Sequence, residues 1–193
     1  MRRITYASLG LLAGLLAVST SAQALPDISI FSYPPGGSSS DGRPLASPIP
    51  RETVNYTGPY SPGSILVNTT ERRLYFILPD HQAIKYGVGV GRPGFTWAGV
   101  SHIANKREWP DWTPPPQMLK RRPDLPRHME GGIDNPLGAR AMYVAGTLYR
   151  IHGSNEPDTI GQAVSSGCIR MTNDDVTDLY ERARVGAPVV VLR

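Results

Sequence analysis

Apolar residues in this chain fall mostly into short runs or alternations, and only once into a helical period. Ile65-Leu66-Val67-Asn68 and Leu74-Tyr75-Phe76-Ile77-Leu78 flank a polar turn at Thr69-Thr70-Glu71-Arg72. That is the pattern of a β-hairpin, with Pro79-Asp80 ending its second strand. A third strand is expected over residues 83–90. Gly87, Gly89 and Gly91 recur at every second position there, so they share one strand face, where a backbone or ligand can come close. Residues 141–144 and 148–151 predict two more short strands around Ala145-Gly146-Thr147. The helical exception follows Thr172. Val176, Leu179, Tyr180 and Ala183 share one face at helical spacing. Thr172 or Asn173 can cap that helix, and Asp174 and Asp175 suit its positive end. Gly186 and then Pro188 stop it, and residues 189–192 are apolar enough for a central last strand. Residues 92–138 predict irregular structure with a short helix over 116–122. They are dense in proline and hold Trp97, Trp109 and Trp112. A loop-rich segment of that length inside a domain is usually a lid or pocket wall. The tryptophans either line such a wall or fill a satellite core beneath the loops. The expected fold class is mainly β with few helices (α+β), a sandwich or curled mixed sheet spanning residues 63–193.

The first sixty residues follow other rules. Arg2 and Arg3 precede an apolar or small stretch over residues 4–18, and Ala22-Gln23-Ala24 has the small-x-small pattern of a cleavage site. Residues 1–24 are therefore expected to be a signal peptide, cut after Ala24, that exports the protein to the periplasm. The alternative, a retained anchor, is disfavoured because the run is shorter than the ~20 residues a spanning helix needs. No membrane span is expected after cleavage. Residues 25–62 are rich in Pro, Gly and Ser, with Pro34-Pro35-Gly36-Gly37-Ser38-Ser39-Ser40 the extreme stretch. Such composition buries too little apolar surface to offset chain entropy, so a flexible linker is expected.

Charge narrows the partners. The whole chain carries +4, and loss of Arg2 and Arg3 leaves +2. No basic stripe is interleaved with aromatic residues, so no nucleic-acid partner is expected, and Lys120-Arg121-Arg122 is read as a solvated patch. Cysteine narrows the chemistry. Cys168 is the only one, so it has no internal disulfide partner. In an oxidising compartment an unpaired thiol is exposed to oxidation, so its presence suggests either use or inert burial.

The neighbourhood of Cys168 favours use. Tyr149-Arg150-Ile151-His152-Gly153 places His152 at a strand end, and Ser165-Ser166-Gly167-Cys168-Ile169-Arg170 places the thiol in a small-residue turn. A free thiol ionises near pH 8.5. A neighbouring imidazole lowers that and can hold the thiolate in an ion pair. Glycines beside both residues leave room for a substrate backbone. The backbone N–H groups of Gly167 and Cys168 can receive the oxyanion of a tetrahedral intermediate. Arg170 can fork onto a substrate carboxylate. Ser165, Ser166, Tyr143, Trp109 and Trp112 complete the expected substrate contacts. The other histidines, His81, His102 and His128, lack the compact spacing of a zinc site. No metal and no cofactor is expected.

His152-Gly153, fifteen intervening residues between His152 and Cys168, and Ser165-Ser166-Gly167-Cys168-Ile169-Arg170 together resemble the signature of the YkuD-type L,D-transpeptidases. The resemblance spans residues 64–192, including Asn135-Pro136-Leu137-Gly138 ahead of the site. It implies the mostly β fold of that catalytic domain. It also implies that Cys168 attacks the carbonyl of the third residue of a peptidoglycan stem and releases the terminal D-alanine. His152 would activate the thiol and later take a proton from the incoming amine, with the Gly153 main-chain carbonyl orienting the imidazole. The family pattern commonly has Ser-His-Gly-Cys, and Ser166 stands here in place of that His. This puts a supporting contact in doubt, not the nucleophile.

The resulting expectation is a transferase with stem peptides as donor and acceptor, forming 3→3 links or attaching an outer-membrane protein to the wall. Water as acceptor would make the same acyl-enzyme a peptidase or amidase. A non-catalytic wall-binding module is the reading from a different class, and a zinc hydrolase a third.

Overall fold

The computed structural model describes residues 49–193. Eleven strands and two α-helices are found among these residues. Strands β2 (Ile65–Asn68) and β3 (Arg73–Leu78) form the expected antiparallel hairpin, with Ile65 opposite Phe76 and Asn68 opposite Arg73. Arg72 closes its turn at φ 58°, and the Asn68 carboxamide accepts from the Glu71 N–H. The run after the hairpin divides in two. β4 (Gln82–Gly87) pairs with β3, the chain steps out at Val88-Gly89, and β5 (Val90–Gly91) pairs instead with β9 (Ala163–Ser165). The close approach expected at the glycines is present. A side chain on Gly89 would sit 2.8 Å from the Thr159 carbonyl oxygen, and one on Gly91 2.5 Å from that of Phe95.

The main sheet has nine strands in the order β1 (Glu52–Asn55), β4, β3, β2, β11 (Pro188–Leu192), β6 (Gly99–Glu108), β7 (Arg140–Val144), β8 (Arg150–His152) and β10 (Ile169–Arg170). Strand β11 (Pro188–Leu192) lies between β2 and β6, parallel to the first and antiparallel to the second. Its Val189 and Val191 enter the core, and Val190 is buried as well, as befits a central strand. Strand β6 (Gly99–Glu108) is the bend of the sheet. Residues 99–102 pair with β11, residues 103–108 pair with β7 (Arg140–Val144), and the register shifts between Ile103 and Asn105. Such irregularities curl a sheet.

β6 corrects the expectation that residues 92–138 are irregular throughout. Only Ile103 of its ten side chains is buried, so the stretch shows no apolar alternation to betray it. The short helix expected in this region is present as α1 (Pro116–Arg121). Asn135 is 1% exposed and ties the loops together. Its carboxamide donates to the carbonyls of Pro110 and Glu130 and accepts from the Leu137 N–H.

Helix α2 (Asn173–Arg182) is capped by Thr172, whose hydroxyl accepts from the Asp175 N–H at 3.2 Å. Val176 and Leu179 pack into the core with Met142, Ile151, Ile169 and Met171. At its other end Lys106 donates to the carbonyls of Tyr180 and Ala183, a cation placed on the negative pole of the helix.

The expected linker is corrected at its C-terminal end. Strand β1 (Glu52–Asn55) pairs along β4, and Tyr56 is 4% exposed. Pairing with an already formed edge supplies the order that composition alone does not. The expected signal peptide over residues 1–24 and the part of the expected linker up to residue 48 lie outside the described residues. Among the described residues, no helix is long and apolar enough to cross a membrane.

Candidate active site

His152 ends β8 (Arg150–His152), which lies between β7 and β10 (Ile169–Arg170). The two outer partners fix its backbone. Ala141 faces it across the antiparallel pair and Arg170 across the parallel one, and the Met171 N–H donates to its carbonyl at 2.8 Å. Cys168 stands immediately before β10, two residues from Arg170. Arg170 and His152 are direct partners across the parallel pair and share a face. Cys168 is partly exposed. A crossover to a parallel pairing thus brings the segments that carry two residues sixteen apart in sequence onto adjacent strands.

The imidazole is 4% exposed. Its Nδ1 lies 2.6 Å from the Gly153 carbonyl oxygen. A carbonyl only accepts, so Nδ1 carries the proton and Nε2 is left unprotonated. Gly153 is itself held. Its N–H donates to the Arg140 carbonyl, and a side chain there would strike the Asn173 carboxamide oxygen and the Ala139 nitrogen. Asn173 accepts from the Ala139 N–H at 2.9 Å, so the start of α2 clamps the Gly138 and Gly153 loops together.

Burial holds the His152 pKa down to about 3. The Gly153 carbonyl opposes that shift, and the positive charges of Arg170 and Arg150 add to it. The resting imidazole is therefore neutral. With Arg150 and Arg170 nearby, the imidazolium is disfavoured until negative charge forms beside it.

The Cys168 turn is pinned from several sides. The Ser165 hydroxyl accepts from the Gly167 N–H at 3.1 Å and donates to the Cys168 carbonyl at 2.6 Å. Gly167 has φ 110°, and a side chain there would overlap the Tyr149 ring. Three expectations change accordingly. The Gly167 N–H is engaged within the turn and is not free for an oxyanion, whereas the Cys168 N–H has no partner among the described residues. Ser165 is 3% exposed and staples the turn in place of reading substrate. Arg170 is not a free fork, because one amino group pairs with Glu156 at 2.8 Å.

The remaining expected contacts scatter. Ser166 is half-buried between the staple residues. Tyr143, half-buried on β7, faces Arg150, whose guanidinium lies 5.3 Å from its ring centre. Trp109 is 45% exposed just beyond β6 and hydrogen-bonds through its backbone to Ala139. Trp112 is 8% exposed and bridges Met129 through its backbone, so it serves packing and not an open wall. Trp97 instead reaches the site. It stacks on Tyr149 at 5.0 Å and donates from its indole nitrogen to the Gly167 carbonyl at 3.0 Å. Among the described residues, no group of three or more His, Cys, Asp or Glu side chains is placed to hold a metal ion.

Sequence reasoning missed Asn173 as a clamp, because its position suits an ordinary cap. It also missed Tyr149 and Glu156, whose roles depend on the crossover. Their signal was only proximity to the His152 segment.

Comparison with known proteins follows the same lines. The sequence model of the L,D-transpeptidase catalytic domain, YkuD, matches residues 62–191. The probable L,D-transpeptidase ErfK/SrfK of Escherichia coli K12 is 39% identical over 137 residues, which is 66% of this chain and 43% of that protein. The chain spans about half the length of the curated relatives it matches. A crystal structure from Brucella melitensis, described as a probable carnitine operon oxidoreductase caia, is 42% identical. It covers 76% of this chain and 96% of its own, with a TM-score of 0.52. An L,D-transpeptidase from Mycobacterium smegmatis has a TM-score of 0.54 over 67% of this chain and 58% of its own. At 18% identity it shares the fold alone. The matched domain takes in every element of the His152 and Cys168 site, and this chain belongs to the YkuD-type L,D-transpeptidase family.

Proposed function

We propose that this chain is a periplasmic acyltransferase that works on peptidoglycan stem peptides through a thioester on Cys168. The observation that carries the reading is the fixed tautomer of His152. Nδ1–H is committed to Gly153, which leaves Nε2 as a base on β8, beside the strand that the partly exposed Cys168 immediately precedes.

In the first half-reaction the Cys168 sulfur bonds to the carbonyl carbon of the third stem residue while its proton passes to Nε2. Charge on the carbonyl oxygen and on the imidazolium arises together. Each therefore stabilises the other in a buried site that penalises either alone. The oxyanion meets the Cys168 N–H. Collapse of the intermediate breaks the C–N bond, and Nε2–H protonates the leaving D-alanine amine. In the second half-reaction an amine attacks the thioester, gives its proton to His152 and releases the thiol. A second stem as acceptor gives a 3→3 link, and an amine of an outer-membrane protein gives wall attachment.

The test is incubation of the mature protein with defined tetrapeptide stems, followed by mass spectrometry. An acyl adduct on Cys168 with released D-alanine, and linked dimers as products, is the expected result. Tripeptide alone would reassign the enzyme as a hydrolase. Stem binding with no adduct would reduce it to a wall-binding module.

A further inference from the structure

The peptide unit that joins Gly167 to Cys168 carries two groups that matter. Its carbonyl oxygen accepts from the Trp97 indole N–H at 3.0 Å, and its N–H, which belongs to Cys168, has no partner among the described residues. A trans peptide is planar, so its C=O and N–H point in opposite directions. Holding one end therefore aims the other. The flanking units cannot do this. The N–H of Gly167 and the carbonyl of Cys168 are both taken by the Ser165 hydroxyl, which leaves the middle unit free to rock about its two ends unless something grips it.

Trp97 is well placed to grip. Its ring stacks on Tyr149 at 5.0 Å with the planes 9° apart. Tyr149 in turn lies against the α-carbon of Gly167, where a side chain would overlap the ring. The loop that carries Trp97 is laced to the same turn through the Arg92 N–H, which donates to the Ser165 carbonyl at 3.0 Å. A donor to the carbonyl also polarises the N–H at the far end of the same unit.

We propose that Trp97 is a positioning residue that aims the Cys168 N–H as the oxyanion donor of the turn. The inference rests on the proposed acyl-enzyme. It predicts a split between two reactions of the same sulfur. Acylation by imipenem passes through an oxyanion, whereas alkylation by iodoacetamide does not.

Two variants separate the indole N–H from the ring. Trp97→Phe keeps an aromatic stack, and 3-benzothienylalanine at position 97 keeps the full bicyclic shape without the N–H. Both should slow imipenem acylation by about tenfold, a part of the 10²–10³ that loss of an oxyanion donor costs. Alkylation should stay within about twofold of the parent chain, with melting temperature unchanged for the benzothienyl variant. If acylation and alkylation slow equally, or neither changes, Trp97 serves the fold alone and the proposal is overturned. If the parent chain is alkylated but acylated neither by imipenem nor by stems, the acyl-enzyme reading itself has failed, and this inference goes with it.

Discussion

Neutral burial of His152 should be visible as a pH dependence of folding. In the unfolded chain an imidazole titrates near pH 6.5, whereas in the folded protein burial holds it at about 3. Between those values the unfolded state binds a proton that the folded state refuses. Stability therefore falls as pH drops through about 6.5, and keeps falling until the folded group titrates. At pH 5 the unfolded imidazole is almost fully charged, so the loss relative to pH 7.5 is about 2 kcal/mol from this residue. Urea unfolding of the protein at pH 7.5 and pH 5.0 measures it, alongside His152→Gln, which cannot titrate. Asp175 is raised by its own burial and works with the opposite sign, but it is present in both proteins and cancels in the comparison. The parent chain should lose about 2 kcal/mol more than the variant over this interval. Equal losses would mean that the imidazole is charged or solvated in the folded state, and the argument for a neutral resting base would fail.

The rate of Cys168 acylation should lack an acid limb near pH 6.5, because His152 stays unprotonated well below that. A profile of single-turnover acylation from pH 8 to 5 checks this, and a fall with a midpoint at 6–7 contradicts it. Gly167→Ala should destabilise the domain by about 2–3 kcal/mol, since it combines a strained positive φ with a clash on Tyr149, and thermal or urea unfolding reads the change. An alanine tolerated there within about 0.5 kcal/mol would show that the turn relaxes without cost.

Much of the fold was legible in the chain. The β2–β3 hairpin, β7 and β8, helix α2 with its Thr172 cap, and the buried final strand all carry local patterns that survive folding, because each buries the residues its periodicity groups together. Strands β1 and β6 were not legible. Their side chains are largely exposed, and their order comes from backbone bonds to neighbours that are remote in sequence. The site divides in the same way. The Cys168 and His152 segments stand out by residue type and spacing, and the Gly153 carbonyl lies 2.6 Å from the His152 Nδ1.

What the amino-acid order determined by itself is the set of local elements and the chemical inventory: one thiol, one histidine at a strand end, small residues around both. Only the tertiary structure decided how those groups are partnered. The parallel seating of β10 on β8 set the Cys168 segment beside that of His152, and packing around β8 set the burial that keeps the imidazole neutral. It also brought Glu156 to Arg170, the Ser165 hydroxyl to the Gly167 N–H, and Trp97 to the Gly167 carbonyl. The physical reason is that hydrogen-bond partners and desolvation depend on which atoms fill the space around a group. In this fold those atoms come from strands and loops distant along the chain.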